Sequence, residues 1–355
     1  ILAFFTTNSA TSAEKMRINS SGNVGIGTAA PNQLLHIHSA GGAAINMTGA
    51  SGYLNQILLG STAAPNHGRM TYQWNTGEMG FATGNSSTPK VTISSAGNVG
   101  VVGLITSTGS STTTSGTSNF VAGVNAGNSI ASGGNYNVAV GDEAGTAITT
   151  GDGNTAVGYA ALDANTTASD NTAVGYSALG ANTVGFANVA VGTDALLSNT
   201  EGNYNTAVGR GSLDANTDGD SNAALGYVAL SANTTGSQNV AVGTNAMIAN
   251  ISGSYNVGIG ALSLDANTTA SFNTAVGYGT LTTNTTGAAN VAIGRNALLA
   301  NTTGGSNVAI GSLSLSANTT ASFNTALGYQ SLDANTVGHS NVAVGTNALL
   351  SNTDG

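Results

Sequence analysis

Few residue types in this sequence could do chemistry, and their spacing narrows the choice further. The sharpest local signal is His36-Ile37-His38. In a strand, residues i and i+2 share a face, so both imidazoles would point the same way. If three chains met on an axis, six imidazoles could hold a divalent transition metal octahedrally. The commoner fate of such a pair is to be packed or solvated, and His67 and His339 carry no comparable signal. Asp163, Asp214, Asp265 and Asp333 recur as L-D-A-N-T. Glycoside cleavage needs two carboxyl groups roughly 5 to 9.5 Å apart in a groove, whereas recurrence at one place in a repeat is what a solvated turn produces. Asp218-Gly219-Asp220 lacks the loop of further ligands that calcium requires. Triplets such as Asn165-Thr166-Thr167 match glycosylation acceptors but recur because a turn recurs. Tyr176, Tyr227, Tyr278 and Tyr329 stand 51 residues apart, either covering a coil edge by stacking or offering a receptor contact. Cysteine is absent, which excludes disulfides and thiolate metal sites. No catalytic residue and no organic cofactor is expected.

The elements carrying these residues follow from an internal repeat. An Asn recurs from Asn137 to Asn341 at a spacing of 17 without one insertion, giving thirteen units. Counting from that Asn, the third residue is Ala except for Gly258, the fourth is Val, Ile or Leu, and the fifth is always Gly. The ninth is Leu except for Gly145 and Met247, and the twelfth and thirteenth are Asn and Thr in all but one unit each. In the unit starting at Asn171 these are Ala173, Val174, Gly175, Leu179, Asn182 and Thr183. The run N-[TV]-A-[VIL]-G predicts a short strand ended by a Gly free to take positive φ, A-L-x-x-N-T predicts a second strand, and N-T-x-G predicts a turn. Coils of constant length stack at roughly 4.8 Å each, so thirteen would extend about 60 Å. On this reading Val174 and Leu179 fill the interior, Asn171 and Asn182 form amide ladders, and Ala173 lies on the opposite face, where an all-Ala surface would contact sister chains in a trimer.

Composition agrees with thin, closely spaced layers: 6% of residues are charged and 5% aromatic, 40% are hydrophobic, and there are 51 Gly and 3 Pro. The formal charge is −9, and residues 137–355 hold two Arg against thirteen Asp and Glu, which leaves no basic stripe for nucleic acid. No apolar run is long enough for a membrane span. The sequence begins without Met and ends inside a repeat, which reads as a piece of a longer polypeptide. Residues 1–103 are expected to form a small β domain bracketed by two related strand-turn-strand modules, Arg17–Gly27 and Thr92–Val102, and containing Met70, Tyr72, Trp74 and Phe81. Residues 104–136 are a Ser/Thr/Gly-rich linker with an irregular first coil, and 137–355 are the repeats.

The string from Met16 through Ser20-Ser21-Gly22-Asn23-Val24-Gly25-Ile26-Gly27 to Pro31, followed by Leu35-His36-Ile37, resembles a module of phage tail-fibre proteins, and the N-T-A-V-G-Y-x-A-L-x-x-N-T-T-G repeats resemble those that follow it there. The N-[TV]-A-[VI]-G element is also similar to the heads of trimeric autotransporter adhesins. The resemblance implies an all-β parallel solenoid or β-roll in a homotrimeric extracellular fibre on a virion. Such a fibre would be a structural shaft presenting a tip to a host receptor of glycan or protein type. A bacterial trimeric surface adhesin is the alternative, and an ice-binding solenoid, using the file of Thr at position thirteen, a distant one. The closing chaperone domain of many tail fibres and the adhesin membrane anchor have no counterpart in this sequence.

Overall fold

The computed structural model describes residues 1–8, 11–38, 54–59, 68–73, 76–83, 91–96, 99–101 and 116–354, divided into two compact units, Ile1–Gly103 and Leu104–Gly355. Among the described residues there is no helix. The first unit holds two sheets. In one, β1 (Leu2–Asn8), β2 (Thr11–Ile18) and β3 (Val24–Ile26) run antiparallel in turn and β4 (Leu35–Ile37) adds parallel to β3. The β2–β3 turn is made by Asn19, whose Oδ1 accepts the N–H groups of Ser21 (3.0 Å) and Asn23 (2.9 Å), with Gly22 at φ +82°. Arg17 pairs with Glu14 through two hydrogen bonds and donates to the Ala29 carbonyl (2.6 Å); the Arg17 bond holds the Glu14 carboxyl below its usual range.

The other sheet is an antiparallel meander of β5 (Leu54–Leu59), β6 (Gly68–Gln73), β7 (Glu78–Thr83), β8 (Val91–Ile93) and β9 (Val99–Val101). The two related modules therefore lie in different sheets, one as β2–β3 and the other as β8–β9. Thr71 and Ala82 are buried while Met70 and Tyr72 are exposed; Trp74 lies outside the described residues.

The second unit is a parallel β-solenoid. Fourteen three-residue strands, from β10 (Phe120–Ala122) to β23 (Val342–Val344), form one parallel sheet in which each strand pairs with the next in sequence. The pairing is in register throughout, position for position. The first strand belongs to a coil of 18 residues starting at Asn119, whose Oδ1 accepts the Asn137 N–H (2.8 Å); that one extra residue hides it from a search at period 17.

Three expectations are corrected. First, Ala173 and its equivalents are fully buried, and Val174 and its equivalents are half-buried or exposed, so the strand is turned over relative to the sequence reading. The interior is Ala at position three, Ala, Ser or Thr at eight, Leu at nine, and Asn at one and twelve. Second, a single chain closes its own core, so no Ala face is left for a sister chain. Third, A-L-x-x-N-T is no strand. Position nine has left-handed φ, as at Leu179 (+52°), Leu196 (+51°) and Leu213 (+53°), and position seven does too, as at Ser177 (+50°), which interrupts the extended conformation. The segment still bonds coil to coil: the N–H of Leu179 donates to Ala195 O (3.0 Å) and that of Ala181 to Leu197 O (3.0 Å). A left-handed Leu costs roughly 1–2 kcal/mol, and burying its side chain returns about 1.5–3 kcal/mol, so the conformation holds once the core forms.

Position five is Gly for two reasons. Its φ is left-handed, +142° at Gly175, and a Cβ there would lie 2.5 Å from the Gly192 oxygen of the next coil. The departures from the repeat are paired in space. A Cβ on Gly258, the single Gly at position three, would lie 2.9 Å from Cγ of Met247, the single Met at position nine. Gly145 at position nine makes room for Ile148 at position twelve, whose Cδ1 would lie 2.8 Å from an added Cβ. The 18-residue coil repeats that exchange with Gly127 and Ile130 (2.9 Å).

The Met247–Gly258 contact makes a quantitative expectation. Gly258→Ala alone should destabilise the solenoid by about 1–3 kcal/mol through overpacking, and Gly258→Ala combined with Met247→Leu should recover most of that loss. A double-mutant cycle by urea unfolding reads the coupling; additive effects would refute the paired-substitution account.

Candidate functional site

Nearly all polar side chains buried in the solenoid belong to repeated ladders. Asn171 Oδ1 accepts the backbone N–H of Asn188 in the next coil (3.0 Å), and Asn171 Nδ2 donates to Gly185 O (2.9 Å). Asn182 Nδ2 donates to the same Gly185 oxygen (2.8 Å) and to Asn165 Oδ1 in the preceding coil (2.8 Å). Two amides thus converge on one turn carbonyl in the same coil, and each column is continued by the next Asn. Buried amides cost several kcal/mol if unpaired, and here both ends of Asn171 and Asn182 are used; at the last levels of the twelfth column Asn335 Oδ1 and Asn352 Nδ2 are left without a partner. The Asn-Thr-Thr triplets of the repeats sit in this interior: Asn165 is fully buried with Nδ2 donating to Ala168 O (3.0 Å), so that amide nitrogen is not presented to a glycan.

A third ladder escaped the sequence reading. At position sixteen the side chain of one coil accepts the backbone N–H of the coil before it. Asp220 Oδ1 accepts from Asn203 (2.7 Å), Ser237 Oγ from Asp220 (3.0 Å) and His339 Nδ1 from Ser322 (3.0 Å). In most coils the residue is Asn, Asp, Ser or His, a variety that conceals a shared acceptor role, and Phe186, Ala288 and Gly305 interrupt the column. Asp220, half of the Asp218-Gly219-Asp220 calcium candidate, is therefore occupied in capping.

The file of Thr at position thirteen is engaged as well. Thr183 Oγ1 donates to Thr200 O (3.1 Å) and Thr302 Oγ1 to Thr319 O (3.0 Å). These hydroxyls donate along the column, which leaves the distant ice-binding alternative few free donors there, Thr166 and Thr353 among them.

His36 lies on β4 opposite Gly25 and is half-buried, with Nδ1 buried and unpartnered. His38 follows the strand and is exposed; the ring centroids are 6.2 Å apart, edge to face. Among the described residues no group of three His, Cys, Asp or Glu is placed to hold a metal. Two imidazoles fall short of a transition-metal shell, so this chain alone supplies only part of one.

The Asp residues at position ten are separated along the column and do not converge as a catalytic pair. Burial pushes the Asp163, Asp214 and Asp265 carboxyls up, opposed by hydrogen bonds from backbone N–H groups. Oδ1 of Asp214 and of Asp265 is buried without a partner. Asp333 is bonded by the Ser316 hydroxyl.

The Tyr column stands outward at position six. Tyr176, Tyr227, Tyr278 and Tyr329 are each about half exposed. Tyr176 stacks on Tyr159 of the preceding coil (5.2 Å), and the Arg210 guanidinium lies 5.9 Å from the Tyr227 ring centroid. A second set of exposed aromatics ends the coils, with Tyr255 stacked on Phe272 (5.0 Å) and Phe186 edge-on to Tyr204 (4.9 Å). Among the described residues no helix is long and apolar enough to cross a membrane.

Two outcomes are expected. Asn222→Ala strands the Asn239 N–H, which donates to Asn222 Oδ1 (3.0 Å), and should cost about 1–3 kcal/mol in chemical unfolding. Asn203→Ala, on the half-exposed capping column, should cost less. The raised Asp carboxyls set a pH dependence whose sign follows from linkage. Their folded pKa exceeds the unfolded value, so their ionisation opposes folding, and stability should rise as pH falls from neutral through the folded pKa towards the unfolded one. Asp214→Asn with Asp265→Asn should raise the melting temperature at pH 7 and flatten its rise on acidification. An unchanged pH profile in the double variant would remove these two groups as its source.

No protein-family model matches the chain, and neither a curated protein nor a solved structure matches it significantly.

Proposed function

We propose that this chain is part of the shaft of a homotrimeric extracellular fibre of the phage tail-fibre type, structural and adhesive in role and with no catalytic step of its own. In this reading the first 103 residues are a small β domain and the solenoid is a stiff spacer that carries a host receptor-binding tip away from the virion.

The observation supporting it is the outward face of the sheet. Positions two and four project away from the buried Ala at three, and across all fourteen strands, from Phe120 and Ala122 to Val342 and Val344, neither position holds a charged residue. Position four is aliphatic throughout, and several members are well exposed, among them Leu225, Ile293 and Leu327. Fourteen strands make this stripe about 60 Å long and roughly 10 Å wide. The resulting area, on the order of 600 Å², reaches the upper range for a monomer's largest apolar patch and approaches the ~800 Å² per partner of a stable interface. A second copy carries the same stripe at the same axial period, so parallel copies in register match coil for coil. Three stripes turned towards a common axis would bury the face that the coil cannot bury itself.

Light scattering coupled to size exclusion should give three times 34.5 kDa, and Val242→Lys with Val276→Lys should yield a monomer that keeps its β-sheet circular dichroism. A parent chain that is a folded monomer would sink the trimer and leave a single-chain spacer.

A further inference from the structure

The Tyr column belongs to a larger constellation. Each Tyr of the 51-residue series is followed one coil along by Asp or Asn at position seven, bonded to it through the backbone. The N–H of Asp194 donates to Tyr176 O (3.0 Å), that of Asn245 to Tyr227 O (3.1 Å), that of Asn296 to Tyr278 O (3.0 Å) and that of Asn347 to Tyr329 O (2.8 Å). These four have left-handed φ, +56° to +58°, which Asn and Asp adopt more readily than most residues. The backbone does not require them, because Leu262 and Val228 hold the same position with the same sign of φ. None of the four carboxamide or carboxylate groups is hydrogen-bonded to another side chain or to the backbone, in contrast with the Asn of the interior ladders. Beside each at position six is an exposed Thr193, Thr244, Arg295 or Thr346.

A half-exposed aromatic ring with a planar polar group and a further hydrogen-bonding group beside it suits a pyranose: the C–H face packs on the part of the ring that its neighbour, Tyr159 on Tyr176 or Arg210 on Tyr227, leaves uncovered, and adjacent hydroxyls bond the planar group. The solenoid sets four such places on one line, three coils apart, or roughly 14 Å, the length of a short oligosaccharide. The acidic excess of residues 137–355, thirteen Asp and Glu against two Arg, disfavours a polyanion. We infer that the flank of the solenoid binds a neutral polysaccharide lying along its axis, with Tyr176, Tyr227, Tyr278 and Tyr329 as stacking platforms and the following Asp or Asn side chains as hydroxyl partners. This deepens the adhesive reading above by naming a ligand class, and it can fail while the trimer stands, because the platforms are on each chain. Four weak places on a stiff support act together on one polymer, so loss of each should reduce retention multiplicatively.

The test is affinity electrophoresis of the full chain in gels containing dextran, mannan or galactan, with alginate as the anionic probe. Retardation is expected in at least one neutral gel and none in alginate. Tyr227→Ala with Tyr278→Ala should weaken retardation at least tenfold in polysaccharide concentration. Asn245→Ala with Asn296→Ala should weaken it as well, while circular dichroism and oligomeric mass stay those of the parent. Migration unaffected by all three neutral polymers, or retardation that survives loss of all four Tyr, would overturn the inference. Retention by alginate alone would replace it with anionic binding, and an unchanged mass in any of these outcomes separates them from failure of the fibre reading.

Discussion

The solenoid depends on buried amides. A coil of 17 residues with a single three-residue strand has most of its backbone in turns, and turn carbonyls pointing inward have no sheet partner to satisfy them. Asn at positions one and twelve meets that need with the fewest atoms: in the coil at Asn171, two Nδ2 groups converge on the Gly185 carbonyl while the Oδ1 of Asn171 receives the next coil's N–H. Each amide is held by its neighbours above and below, so the ladder enforces the register that the aliphatic column alone would specify weakly. An aliphatic side chain tolerates a slip along the axis; an amide donating on one side and accepting on the other does not.

This constraint explains where the repeat varies. At positions three, nine and twelve the interior changes only by exchange: Met247 arrives with Gly258, and Ile148 with Gly145, whereas position eight takes Ala, Ser or Thr. Both exchanges keep the volume between the strand and the opposite wall, because neither backbone can shift without breaking its axial bonds. The exchange at Gly145 and Ile148 also removes one Asn from the twelfth column, near the start of the solenoid, where that ladder begins with Asn165. Position sixteen varies more freely because it accepts at most one N–H, which Asn, Asp, Ser and His can all do and which the coils with Phe186, Ala288 and Gly305 forgo.

The exterior follows a different rule. Positions two and four carry no charge, while positions six, seven, ten and seventeen change from coil to coil, with Tyr176, Tyr227, Tyr278 and Tyr329 at position six marking the 51-residue period. A uniform face and a patterned flank suit different partners: the first fits a surface with the same axial period, the second a ligand read at intervals of three coils. The burial of Asp163, Asp214 and Asp265 at position ten adds a pH-dependent cost at every third level of that stretch of the column, where other coils carry uncharged residues such as Leu197 and Leu299.

By itself the sequence determined the period, the parallel stacking, the Gly at position five and the two Asn columns, because each repeats with at most one exception, Ile148 in the twelfth column, and has a local physical cause. It also marked two opposite faces of the strand through alternation. Only the tertiary structure decided which face is inside. Alternation is symmetric, and residue size pointed the wrong way: Val174 is larger and more apolar than Ala173, yet the interior is already occupied by Leu179, so only Ala fits opposite it. The left-handed Leu at position nine was hidden for a related reason, since no local preference favours that backbone and its stability comes from burial within the stacked coils. The capping column at position sixteen shares a function without sharing a residue type and became visible only when the chain was laid against its own neighbouring coils; an irregular first coil was legible in residues 104–136, but its start at Asn119 and its one extra residue came from that stacking.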